Sequence, residues 1–149
     1  MKRFQFPLQT LLDVRSRREE LCAQRLAEAQ RLVREQERLV QELRTIFAEG
    51  RLALRRALEE GAGVEEILLH LEHIRRLEVH LARAEACLLE LKAKEEETRK
   101  EFLEARRARR VVERLRERRW ASYLQEVHRE EGKFLDEVAI AAKNRELEG

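Results

Sequence analysis

The chain is poor in almost everything from which an active site or a broad core is made. Its 149 residues include one proline, one tryptophan, one tyrosine, five glycines and two cysteines. Serine occurs only at Ser16 and Ser122 and aspartate only at Asp13 and Asp136, so a Ser-His-Asp arrangement has little to draw on. A phosphate-cradling loop needs Gly-x4-Gly-Lys-Ser/Thr. The only Gly-Lys pair, Gly132-Lys133, has Val127 where the first glycine should stand. No apolar run reaches the roughly 18 residues of a membrane span. Lys2 and Arg3 precede an apolar patch, but Pro7, Gln9 and Asp13 interrupt it before it could serve as a signal-peptide core. Cys22 and Cys87 lack Cys-x-x-Cys spacing and fit a reducing compartment as small buried apolar residues. Glu66, His70 and His73 lie one helical turn apart, with His80 two turns further on. A structural zinc site needs about four ligands, so solvated or seam-edge histidines are expected and no metal. Neither an enzyme nor a cofactor is expected.

What the chain has in abundance is charge. Charged residues make up 42% of it and aromatics 5%, against about 25% charged in a globular domain, so a core covered on all sides is excluded. The apolar residues are Leu, Ala and Val, and the polar ones mostly Glu and Arg, all but Val strong helix formers. Such composition also suits a disordered chain. A net charge of only +2 and regular apolar spacing argue for long helices that each bury one stripe.

A heptad frame runs through positions 8, 12, 15, 19, 22, 26, 29, 33, 36, 40, 43, 47, 50, 54 and 57, and eleven of these fifteen are apolar. Leu11, Leu32, Leu39 and Ile46 flank that seam and are expected to broaden it. Gly61-Ala62-Gly63 is the only strong turn signal between Pro7 and Gly132. A second frame follows at 67, 70, 74, 77, 81, 84, 88, 91, 95, 98, 102, 105, 109 and 112, ten of fourteen apolar. Beyond Val112 the stripe shifts to Trp120, Leu124, Val127, Phe134, Val138 and Ala141, a phase slip that locally alters supercoiling. The expected fold is all-α: a long antiparallel two-helix coiled-coil hairpin whose C-terminal helix overhangs. Residues 1–149 would form a single coiled-coil stalk, with helix 1 over about 7–60, a turn at 61–63 and helix 2 over about 64–146. At 1.5 Å per residue the helices would span about 80 and about 125 Å. Folding about residue 62 places Leu12 near Val112 and Phe4 near Trp120, so Phe4 and Phe6 should pack on the Trp120–Leu124 region.

Two surfaces stand out as places for a partner. Arg106, Arg107, Arg109, Arg110, Arg114, Arg116, Arg118 and Arg119 form a dense basic run offset only by Glu113 and Glu117. The hairpin sets it beside Arg15, Arg17 and Arg18, with Arg15 facing Arg109 across the seam. That pairing is unfavourable without carboxylates, which Glu19 and its neighbours or an acidic protein surface would supply. A solvated basic face and phosphate contact with nucleic acid are the other readings of the run, although stacking aromatics are missing beside it. The overhanging stripe of Trp120, Leu124, Val127, Phe134, Leu135 and Val138 has nothing in its own chain to cover it and implies a partner or self-association.

The opening Phe4-x-Phe6-x-Leu8-Gln9-x-Leu11-Leu12-x-x-Arg15-x-x-x-Glu19, the glycine-marked break and the late Lys133-Phe134-Leu135-Asp136-Glu137 together resemble the FliJ family over the whole chain. The resemblance implies an antiparallel coiled coil similar to the central stalk of rotary ATPases. It implies a cytoplasmic protein, peripheral at the cytoplasmic face of the inner membrane, that serves flagellar type III export. Its partners would be the hexameric export ATPase, which it binds and stimulates, the cytoplasmic region of the membrane export gate, and export chaperones. No nucleic acid would bind, and the chain would be a monomer in isolation. By matching motif, Phe4, Phe6, Leu8, Leu11, Leu12 and Arg15 would belong to the ATPase-facing end. On their clustering alone, Arg109, Arg110 and Arg114 would form a collar that engages acidic residues of the ATPase, with Trp120 and Leu124 of the apolar stripe beside them. The start of the second helix, here Ile74 and Leu77, would meet the gate. The rival readings are a parallel scaffold dimer, a nucleic-acid binder using the arginine run, and a stalk subunit of another ATPase or an injectisome.

Overall fold

The computed structural model describes residues 2–149. Its two α-helices, α1 (Gln9–Glu59) and α2 (Val64–Glu148), pack against each other, and no strand occurs among the described residues. The all-α expectation of two long helices, the second the longer, holds. Contacts divide the chain into two units: residues 2–19 with Glu104–Gly149, and Glu20–Leu103.

In the unit Glu20–Leu103, the heptad seam is what is buried. Cys22, Val33, Val40, Gly50 and Ala57 on α1 and Leu77 and Ala84 on α2 are the buried residues here, all of them frame positions. Most are small, which is the physical condition for bringing two helix backbones close together. At Gly50 an added Cβ would lie 3.4 Å from Leu77 Cδ1. Polar seam residues find partners within the seam: the Gln36 amide donates to the Ala84 carbonyl at 3.0 Å, satisfying a group that would otherwise be buried at a cost. Arg44 with Glu85 at 3.2 Å and Lys92 with Glu37 at 3.8 Å flank it across the two helices. These exposed pairs contribute little individually but agree in register with an antiparallel alignment. On the outer face Arg31 bridges Glu28 and Glu35 one turn to either side. Its hydrogen bond holds the Glu28 carboxyl below the usual carboxylate range. The small contribution of that pair is therefore present at neutral pH and lost on acidification through the lowered value.

The stripe is narrower than the sequence suggests. Leu32 is half-buried, whereas Leu39 and Ile46 remain 43% and 42% exposed. One neighbouring helix cannot cover the flanks of a seam as a third helix would, so these positions stay wet. Cys87, expected to be buried, is exposed, while Cys22 is buried. Cys87 lies off the frame, one position before Leu88.

The turn follows from Gly61. Its φ of 73° lets the Ala62 N–H reach the Ala57 carbonyl at 3.0 Å and the Gly61 N–H reach Leu58 at 3.2 Å. That is the Schellman closure, in which a left-handed residue satisfies the last carbonyls of a helix. The Ile67 N–H then donates to the Gly63 carbonyl at 3.1 Å, and Glu65 and Glu66 occupy the positive first turn of α2.

In the other unit, α1 begins at Gln9 rather than near residue 7. Pro7 holds the preceding residue extended, and a turn closes first, with Gln9 N–H to the Phe6 carbonyl at 3.0 Å. At the far end α2 persists two residues beyond the expected limit, to Glu148. Phe6, Ala105 and Val112 are buried here. From residue 128 onward every side chain is exposed, the last turns of α2 having no cover from this unit.

Opposite outcomes are expected at two glycines. Gly50→Ala removes a helix-interior glycine at ordinary contact distance and should raise stability by up to about 1 kcal/mol. Gly61→Ala forces a left-handed alanine and should lower it by about 1–2 kcal/mol. Chemical denaturation of the two variants beside the wild type checks both signs.

Candidate partner-binding site

The unit that carries both chain ends holds most of the residues singled out in the sequence. Phe4 lies edge-on to Trp120, ring centroids 4.9 Å apart at 78°, and 5.4 Å from Tyr123. Trp120 and Tyr123 in turn stack at 5.5 Å, and the Tyr123 hydroxyl donates to the Lys2 carbonyl at 3.0 Å. Phe6 is buried. The packing of Phe4 on the Trp120 region is as expected from the register. Tyr123 was not anticipated, although it lies one turn from Trp120 on the same face and opposite Lys2 in that register. Leu8 and Leu12 are half-buried on the seam, while Leu11 and Leu124 are both 37% exposed.

Apart from the half-buried Arg106, the arginine run separates into two populations. Arg109, Arg116 and Arg119, together with Arg15 of α1, make contacts within the unit. Arg15 Nη1 donates to the Ala108 carbonyl at 2.8 Å. The Arg109 guanidinium donates to the carboxylates of both Glu19 and Glu113. Arg116 Nε donates to Gln9 Oε1 at 3.1 Å while its guanidinium sits 5.7 Å from the Phe4 ring centre, and Arg119 stands 6.0 Å from that of Phe6, within the reach of cation–π attraction. The facing pair Arg15 and Arg109 is thus neutralised from inside the chain, by Glu19 and Glu113 and by a carbonyl. The Glu19 hydrogen bond, with the charges of Glu19 and Glu113, raises the Arg109 pKa above its ordinary value against the opposing effect of burial. Stabilisation from a raised group is complete below its unfolded value and lost only as pH climbs through the raised one. For Arg109 that lies beyond any pH the fold would experience, so this cation is permanent.

Arg107, Arg110, Arg114 and Arg118 face outward, and no carboxylate bridges them among the described residues. On the next turns of α2, Phe134 and Leu135 are each 65% exposed, with Val138 and Ile140 open beside them. A row of unpaired guanidinium groups leading onto an uncovered apolar helix can take an acidic surface with an apolar centre. Ile74 and Leu77 belong to the other unit. Ile74 is half-buried, and Leu77 is buried against Gly50, so of the two only Ile74 offers surface. Among the described residues no cluster of three or more His, Cys, Asp or Glu could hold a metal ion, and no helix is long and apolar enough to cross a membrane.

Because Arg109 and Glu19 are both mostly shielded from solvent, a double-mutant cycle with Arg109→Met and Glu19→Gln should give a coupling of about 1–3 kcal/mol. The exposed Arg55–Glu59 pair should give no more than about 0.5 kcal/mol. Phe4→Ala should shift Trp120 emission to longer wavelength and cost about 1 kcal/mol for the lost ring pairing.

No curated protein matches the chain. A solved structure, that of the YscO homologue CT670 from Chlamydia trachomatis, is 20% identical, with 92% of this chain and 93% of that chain covered and a TM-score of 0.48. The family model for the flagellar FliJ protein matches residues 4–148, nearly the whole chain. The protein belongs to the FliJ family and is a non-catalytic component of flagellar export.

Proposed function

We propose that this chain is the accessory subunit that binds and stimulates the hexameric flagellar export ATPase and connects it with the cytoplasmic part of the export gate and with export chaperones. The observation that carries this reading is the division of the arginine run. Arg109, Arg116 and Arg119, with Arg15 of α1, make contacts within the unit, whereas Arg107, Arg110, Arg114 and Arg118 are exposed and bridged by no carboxylate among the described residues. An acidic ATPase surface would satisfy those four, and the apolar stripe that runs from the partly covered Trp120 to the open Phe134 and Val138 would enter an apolar lining beside it. Phe4, Phe6, Leu8, Leu12 and Arg15 then act mainly by holding this end in shape, and Leu11 and Leu124 add apolar contact. Ile74 is our candidate for the gate, with Leu77 supporting it from the seam. Association with the ATPase and gate would place the protein at the cytoplasmic face of the inner membrane without a span of its own. The reading expects a monomer in dilute solution, where a scaffold dimer would sediment at twice the mass. It also expects no tight, steeply salt-dependent binding of nucleic acid.

Arg110→Glu with Arg114→Glu should reduce stimulation of the cognate ATPase by at least about tenfold, as like charges replace complementary ones in an interface. Helicity by circular dichroism should stay unchanged, since both side chains are exposed and bridged by no carboxylate among the described residues. Stimulation equal to that of the wild type would exclude the outward arginines from the interface. Arg109 is a poor test residue, because reversing its charge would leave Glu19 and Glu113 facing a third carboxylate.

A further inference from the structure

The unit Glu20–Leu103 carries a groove that the arginine run does not explain and of which the gate candidate, Ile74, forms only one edge. It has a volume of about 590 Å³ and is lined on α1 by Phe47, Leu52 and Leu58 with Arg51 and Arg55, and on α2 by Leu71 and Ile74. Leu52, Leu58 and Leu71 are 46%, 55% and 37% exposed, an apolar surface with nothing over it. None of the lining side chains is a carboxylate. Arg51 lies 5.8 Å from the Phe47 ring centre and is bridged by no carboxylate among the described residues. Arg55 meets only Glu59, at 3.3 Å on an open surface. From Phe47 to Leu58 the lining extends about 16 Å, three turns of helix. The groove is therefore shaped and charged for a short amphipathic helix with acidic flanks.

This sequence contains such a helix. In the uncovered last part of α2, Phe134, Val138 and Ala141 follow one another at helical spacing, with Val127 two turns before Phe134. Glu130, Glu131 and Glu137 stand four before, three before and three after Phe134, so all three carboxylates border its stripe. From Phe134 to Ala141 the stripe is open to solvent and Val127 is half-buried; its length, from Val127 to Ala141, is about 21 Å, enough to fill the groove.

We propose that the groove between Phe47 and Ile74 receives the C-terminal helix segment 127–141 of a second copy of this chain. Phe134 and Val138 would lie on Leu52, Leu58 and Leu71, and Glu130, Glu131 and Glu137 would meet Arg51 and Arg55. Each copy offers one groove and one tail, so every copy can give and receive the same contact. It is weak and concentration-dependent because the area is small. It also covers the stripe that the ATPase would take, so self-association and ATPase binding exclude each other. The inference itself rests on the groove and the tail alone and stands or falls apart from the ATPase reading.

Sedimentation equilibrium of the full chain between about 10 μM and about 1 mM tests it, the range in which such small interfaces dissociate. The wild type should gain weight-average mass with concentration. Arg51→Glu with Arg55→Glu, and separately Glu130→Lys, Glu131→Lys with Glu137→Lys, should each weaken association at least about tenfold by setting like charges together. Mixing the two variants restores complementary charge at both contacts and should restore the mass increase. Circular dichroism confirms that each variant stays helical, as exposed substitutions should. A wild type that remains monomeric throughout, reversed variants that associate as the wild type does, or a mixture that stays apart would each overturn the proposal.

Discussion

Two helices without a third can remove from water only the line along which they touch, and that constraint governs this protein. Within the unit Glu20–Leu103 the buried positions are Cys22, Val33, Val40, Gly50, Ala57, Leu77 and Ala84, all on the seam and mostly small. Small residues let the backbones approach, and close approach is the only way a single line of contacts excludes water. The larger apolar residues lie along the edges, where they are half covered or open. Among the described residues no large side chain is fully enclosed. Stability must then come from many modest contacts repeated along the helices. Gln36 on the seam is tolerated because a carbonyl of the facing helix stands within reach.

The same constraint accounts for where binding surface is left over. A seam that covers so little leaves apolar side chains exposed wherever the pattern widens, as at Leu52, Leu58 and Leu71, or continues past the end of its partner, as at Phe134 and Val138. Charge decides what those surfaces can meet. Beside the first group stand Arg51 and Arg55, and beside the second stand Glu130, Glu131 and Glu137. In the unit carrying both chain ends, the carboxylates of Glu19 and Glu113 take up Arg109 and leave the outward arginines without partners. A non-catalytic protein of the export apparatus acts through such surfaces, and their charge and apolar content are its chemistry.

The heptad frames were legible residue by residue: every one of their positions, from Leu8 to Ala57 and from Ile67 to Val112, is half-buried or buried. Period is a local property, and a helix displays it whatever it packs against. The turn was legible for a similar reason, since the break offers glycines that adopt a positive φ without strain, and Gly61 does so. The fate of Leu39, Ile46 and Cys87 was not legible, because their burial depends on how many neighbours a helix has rather than on their own spacing. Nor were the roles of individual arginines. Arg109 and Arg110 are adjacent and chemically identical, yet one donates to two carboxylates and the other faces solvent.

Sequence alone therefore determined that the chain makes two long helices broken at Gly61, which stripe each would bury, and that the opening motif belongs with the FliJ family. These are properties of periodicity, propensity and local motif, carried within a few turns of chain. Only the tertiary structure decided that Glu19 neutralises Arg109, that Tyr123 completes the cluster of Phe4 and Trp120, and that Phe47, Leu58 and Leu71 line one groove. Each of those depends on which rotation and register the facing helix adopts, and residues 90 or more positions apart meet only once that choice is made.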